Sequence, residues 1–115
     1  MPDLELRGVP GVPVEIASTR AARRTGLLGR AEYAGVLVLA PCRQVHTFGM
    51  RFSVDVGFCG ADGRLLRIVT LGPGRLSRPV WRARWVLEAE AGAFARWGLR
   101  CGDTVVVREH AGREP

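Results

Sequence analysis

"RFSVDVGFCGADGRLLRIVTL", residues 51–71, is two strands and a tight turn written out in order. From Phe52 to Cys59 the side chains alternate: Phe52, Val54, Val56 and Phe58 share one face, and Ser53, Asp55, Gly57 and Cys59 the other. Gly60-Ala61-Asp62-Gly63 carries the residues that a short reversal needs, and Arg64–Leu71 is again rich in β-branched and aliphatic residues. The stretch therefore predicts an antiparallel hairpin, and with it a sheet-based fold.

Working outward, Gly35–Ala40 (GVLVLA) is apolar on both faces and short, as a central strand is. Arg84–Glu90 (RWVLEAE) is a strand that runs into a short helix at AGAFARWG, with Glu90 and Arg96 complementing its dipole and Gly98 closing it. Thr104–Glu109 is the last strand, and the residues from about 110 form a polar tail. Near the start, LELRGVPGVPVEIA reads as two strands around a Val-Pro-Gly-Val turn, with Val14 and Ile16 alternating against Glu15. Ser18 is placed to cap a helix over TRAARRTGLLG, which Gly26 weakens and Gly29 ends. Residues 72–83, GPGRLSRPVWRA, read as an exposed loop. Short turns favour antiparallel pairing, and strands apolar on both sides point to a compact curled sheet or small barrel. The expectation is one α+β domain over residues 1–115, mainly antiparallel β with two short helices.

Composition bounds the function. No apolar run reaches the roughly 18 residues that cross a bilayer, and the first ten residues lack a basic segment followed by an apolar one, so the expectation is a soluble, cytoplasmic protein without a membrane partner. Three cysteines, Cys42, Cys59 and Cys101, are an odd number with no C-x-x-C pair, a poor disulfide framework and a poor zinc site. All 17 basic residues are arginine, and the net charge is +6. Lysine and asparagine are absent while glycine, alanine and arginine abound, a pattern that GC-rich codons produce without selection for an acidic partner.

Several spaced elements resemble one family. His46-Thr47-Phe48-Gly49-Met50-Arg51-Phe52, then Val54-Asp55-Val56 and Asp62-Gly63, resemble the bacterial and archaeal domain of unknown function 192. So do Leu87-Glu88, Ala91-Gly92, Gly98 and Gly102-Asp103, and, upstream, ARRTGLLGR. The likeness runs from about residue 12 to about 108, with Ser53 standing where relatives often carry proline. It implies a compact α+β domain dominated by antiparallel strands, and it brings no biochemical activity with it.

The polar residues set into apolar strands are the candidates for chemistry. His46, Asp55 and Glu88 could serve as catalytic groups, and His46, Met50, Asp55 and Glu88 could line a ligand groove. Asp55 and Glu88 would form a carboxylate pair only if the fold brought them together. Each has a plain structural alternative: an ion pair or loop clamp for Asp55, and a histidine holding a loop for His46. Cys42 and His46 are four apart, but Pro41 disfavours a helix there and no third orienting group is evident. His110 lies in the tail, so no metal set is complete, and neither a metal nor a cofactor is expected. Arg75, Arg78 and Arg82 beside Trp81 could meet an anion or a nucleic acid, although no recognition motif accompanies them and nucleic acid is disfavoured. The reading that follows is a small binding or accessory module with a polar groove near His46, Asp55 and Glu88, taking a small-molecule ligand. A hydrolase using the same residues stands second, and a weak nucleic-acid or anion binder third.

Overall fold

The computed structural model describes residues 2–6, 9–30, 33 and 35–109. The 51–71 hairpin is there: β4 (Val54–Cys59) pairs antiparallel with β5 (Leu65–Leu71), Asp55 opposite Thr70. On its other side β4 pairs with β6 (Trp85–Glu90), and β6 with β3 (Val36–Leu39), both antiparallel. β3 then runs parallel to the second half of β2 (Val9–Ala17). These five strands make a mixed sheet. It continues through the first half of β2 to β1 (Pro2–Leu6) and from there to β7 (Val105–Glu109). The order is β5-β4-β6-β3-β2-β1-β7. The result is an α+β fold made mostly of sheet.

The sheet has ends, β5 and β7, and so is not the closed barrel that was one expectation. It is curled, because the two ends touch at one corner. Arg64 bridges Thr104, the Leu65 amide donates to the Asp103 carbonyl at 2.8 Å, and the Val105 amide to the Gly63 carbonyl at 3.0 Å. The helices are slight: α1 (Arg20–Thr25) has six residues, and α2 (Ala93–Arg96) is a single turn of four.

Strand parity sorts the core into two layers. Val36, Val38, Leu87, Ala89 and Cys59 face one side, where Phe94, Leu99 and Val105 cover them. Leu37, Leu39, Val54, Val56, Phe58 and Val86 face the other, beneath Leu27, Val45 and Ala83. Both faces being covered explains why β3 and β4 are buried along their whole length and read as near-continuous apolar runs.

Three local expectations need correction. The Val-Pro-Gly-Val stretch is not a turn but lies inside β2. Leu4 faces Val12 and Leu6 faces Val9, so β2 carries one extra residue there, and Pro10-Gly11 sits at a bulge that tolerates a missing donor. Thr19, not Ser18, caps α1, its Oγ1 accepting from the Ala22 amide at 3.0 Å, and the helix ends at Gly26, before Gly29. Ile16, which alternates with Val14 against Glu15, is exposed although Val14 is buried. The polar tail and His110 lie outside the described residues.

Candidate functional site

Residues 41–50 and the 72–83 loop are zipped together, so the loop is exposed along most of its length, as its composition predicts, yet is pinned by hydrogen bonds along one edge. The Ser77 amide donates to the Val45 carbonyl, Ser77 Oγ accepts from the Val45 amide at 3.0 Å, and the Val80 amide donates to the Arg43 carbonyl. Thr47, fully buried, donates from Oγ1 to the Gly72 carbonyl at 2.6 Å and accepts from the Arg75 amide at 2.8 Å. The sequence offers no role for either hydroxyl: Ser77 sits in a glycine- and proline-rich stretch, where it looks like ordinary loop solvation, and Thr47 stands out only as part of the His46–Phe52 motif.

This rigid segment stands opposite α1, and the space between them is a cleft of about 500 Å3. Arg20, Arg23 and Leu27 contribute one wall; Cys42, Arg43, His46 and Met50 contribute the other. Glu88 lines the same cleft from β6. The His46 ring stacks on Phe48 with centroids 5.1 Å apart, and His46 Nδ1 accepts from the Phe48 amide at 3.2 Å. Phe48 and Leu28 are exposed large apolar residues that also line the cleft.

Glu88 is the unusual residue. It follows Val86 on the face turned to Leu37 and Val56, and it is only 5% exposed. Among the described residues it makes no hydrogen bond and no ion pair, and its carboxyl keeps a little accessible surface towards the cleft. Burial pushes its carboxyl up to about 7, because the ionised form loses part of its hydration. Burial raises the Cys42 thiol too, with the Glu88 charge adding to the effect. The folded chain thus holds the Glu88 proton to higher pH than the unfolded chain, whose carboxyl titrates near 4.5. More protons are bound folded than unfolded in that interval, so stability falls as pH rises from about 4.5 to about 7. Glu88→Gln should remove this slope. Comparing urea unfolding of the two proteins at both ends of the interval, the parent should lose about 1–3 kcal/mol more than the variant. Parallel profiles would mean that the carboxyl is solvated and ionised in the fold.

Asp55 is on the other side of the sheet. It pairs with Ala89, one residue along from Glu88, and strand parity turns it to the opposite layer. The carboxylate pair that the sequence left open therefore does not form, and the groove residues separate: His46, Met50 and Glu88 share the cleft, whereas Asp55 does not line it. Asp55 is a clamp on the chain instead. Its Oδ2 accepts from the Gly92 amide at 3.0 Å and the Phe94 amide at 3.2 Å, and its Oδ1 from Thr70 Oγ1 at 2.7 Å.

The arginines divide as well. Arg20, Arg23 and Arg43 line the cleft. Arg78 borders a depression with Arg67 and Leu76, and Arg82 another with Arg64 and Cys101, while Arg75 lines neither. Among these depressions, none gathers Arg75, Arg78 and Arg82 together. Cys42 and Arg43 are cleft residues that the site expectation omitted. A cysteine four residues before His46, with a basic neighbour, was the available signal. Cys59 is inert in the core, its thiol pushed up to about 12 by burial. Among the described residues no group of three histidine, cysteine or acidic side chains could hold a metal.

Such a molecule, a curled mixed sheet with a carboxyl-floored cleft on one face, has relatives. The chain belongs to the family DUF192, "Uncharacterized ACR", whose model matches residues 5–107. A UPF0127 protein of Pyrococcus horikoshii is 30% identical over 84 residues, covering 69% of this chain and 73% of that one. Two solved structures share the fold at 22% identity. A protein of unknown function from Novosphingobium aromaticivorans gives a TM-score of 0.75 over 91% of this chain and 82% of its own. A proposed transcription regulator from Sinorhizobium meliloti gives 0.76 over 92% and 91%. Among the described residues no helix is long and apolar enough to cross a membrane.

Proposed function

We propose that the protein is a small-molecule binding module whose ligand occupies the cleft between α1 and residues 41–50. One observation carries this reading: a buried carboxyl without a partner opens onto a cleft of about 500 Å3. A buried polar group is normally satisfied within the fold, as Asp55 is, and one left for an incoming molecule marks a binding position. The three free thiols, Cys42, Cys59 and Cys101, suit a reducing compartment, and the reading places the protein in the cytoplasm.

The hydrolase alternative needs a nucleophile hydrogen-bonded to a base. Here the Cys42 thiol donates to the Gln44 carbonyl at 3.2 Å and His46 Nδ1 is taken by the Phe48 amide, so the two side chains are each engaged locally. A nucleic-acid role, of the kind the Sinorhizobium meliloti protein's description suggests for that protein, draws no support from the scattered Arg75, Arg78 and Arg82.

A fragment library screened by backbone NMR tests the reading. Hits should shift the amides of Leu27, Cys42, His46 and Met50. Met50→Trp, which fills the cleft, should weaken each hit at least about tenfold, or about 1.4 kcal/mol, with an unchanged circular dichroism spectrum. Hits that map elsewhere, or that bind Met50→Trp equally well, would overturn it.

A further inference from the structure

The walls of the cleft narrow the chemistry of its ligand, an inference that rests on the binding reading above. Three arginines line the cleft, Arg20, Arg23 and Arg43, against one acid, Glu88. Arg20 and Arg23 are one turn apart on α1 and so fall on the same side of it. Arg23 Nη1 donates to the Ser18 carbonyl at 2.6 Å and Arg43 Nε to the Trp81 carbonyl at 3.1 Å. Each of these guanidiniums is thereby held by main chain while keeping further N–H groups to give. None of the three has an acidic partner among the described residues, whereas Arg30 and Arg96 are paired with Glu15 and Glu90. A cationic ligand would meet this unneutralised charge. Leu27, Leu39 and Met50 line the cleft as well and give it apolar surface.

We propose that the cleft binds a small organic oxyanion, a carboxylate or a phosphate ester. Its anionic group sits on Arg20, Arg23 and Arg43, its apolar body lies across Leu27, Leu39 and Met50, and an uncharged hydroxyl or amide at its far end reaches Glu88. The planar guanidinium fork suits either oxyanion. Glu88 bonds the neutral end as a protonated acid, which both donates and accepts. Once ionised it would repel the ligand's charge, so binding is coupled to its proton. The charged and titratable groups facing it are Arg20 and Arg23 from α1, and Cys42, Arg43 and His46 from the opposite wall; β3 and β4 present Leu37 and Val56.

Four probes with one aromatic frame test this on the full chain: 4-hydroxybenzoate, 4-hydroxyphenyl phosphate, 4-hydroxybenzamide and 4-hydroxybenzylamine. Each is titrated at pH 6 and pH 8 and followed by the amide shifts of the cleft residues. The two anions should bind at least about tenfold tighter than the amide, and the amine should not bind. Their ratio distinguishes carboxylate from phosphate. Affinity for 4-hydroxybenzoate should fall about tenfold from pH 6 to pH 8, as a carboxyl titrating near 7 ionises. The fall should vanish in Glu88→Gln and persist in His46→Gln. Arg20→Ala with Arg43→Ala should erase the preference for anions over the amide. An amide or amine that binds in the cleft as tightly as the anions defeats the oxyanion assignment and leaves the binding reading standing. A pH-independent affinity in the parent defeats the role given to Glu88. If no probe moves the cleft amides, the binding reading falls with it.

Discussion

Asp55→Ala should lose most of the stability that a small domain has to spare. The carboxylate, 4% exposed, accepts three hydrogen bonds, from Thr70 Oγ1 and from the Gly92 and Phe94 amides. The two amides matter most. They belong to the start of α2, where Gly92 stands at the cap position and has no side chain to cap with. Asp55 supplies that cap from another strand, across 37 positions of sequence. Alanine orphans the buried Phe94 N–H and takes the acceptor from the Gly92 N–H, which is on an exposed residue, while exposed Thr70 can turn its hydroxyl to water. At 1–3 kcal/mol for an unsatisfied buried donor and less for the partly exposed one, the loss should be about 2–4 kcal/mol. Asp55→Asn separates hydrogen bonding from packing. Its carbonyl oxygen can still accept from both amides while its NH2 turns to Thr70 Oγ1, which can accept in place of donating. It should cost only about 1 kcal/mol. Urea midpoints of the two variants check this, and equal losses would mean that the clamp works by charge or by volume and not by its hydrogen bonds.

That same residue shows what could be read from the chain. Alternation alone puts Asp55 opposite the Val54–Phe58 face and Glu88 opposite Leu87, and both placements hold in the structure. Period-two patterning is a local property, written within six residues. Which partner a buried carboxylate finds is not local. It depends on the register between β4 and β6, and a shift of one residue would have put Asp55 and Glu88 on one face. Hence the hairpin at 51–71 was legible, the sidedness of each acid was legible, and the separation of the two acids was not. The cleft was harder still. Its walls come from α1 and from residues 41–50, which the 72–83 loop braces from behind, and most of that brace is main-chain bonding, which leaves no trace in composition. Where side-chain chemistry misled, the competing options were close: Ser18 and Thr19 both carry a capping hydroxyl, and Pro10-Gly11 serves a bulge as readily as a turn.

Gly63→Ala should be the other severe change, and it tests the corner where the curled sheet meets itself. Gly63 sits before β5 with φ +85, a backbone conformation that a Cβ disfavours. A Cβ there would also fall on the carbonyl oxygen of Val105, too close for any van der Waals contact, and that atom is main chain in a paired strand. The hydrogen bond from the Val105 amide to the Gly63 carbonyl, 3.0 Å, would have to lengthen as the two segments part. Gly74→Ala is the matched control: φ is +76, and nothing stands within 4 Å of its Cβ. The control carries the left-handed strain alone, about 1 kcal/mol. Gly63→Ala carries that strain and the clash together, about 3 kcal/mol or more. Native-state hydrogen exchange locates the difference. The Leu65 and Val105 amides should lose protection in Gly63→Ala and keep it in Gly74→Ala, because only the first change pries β5 from β7. If both variants lose equal stability, backbone strain is the whole cost, and the touching ends of the sheet contribute little to holding it curled.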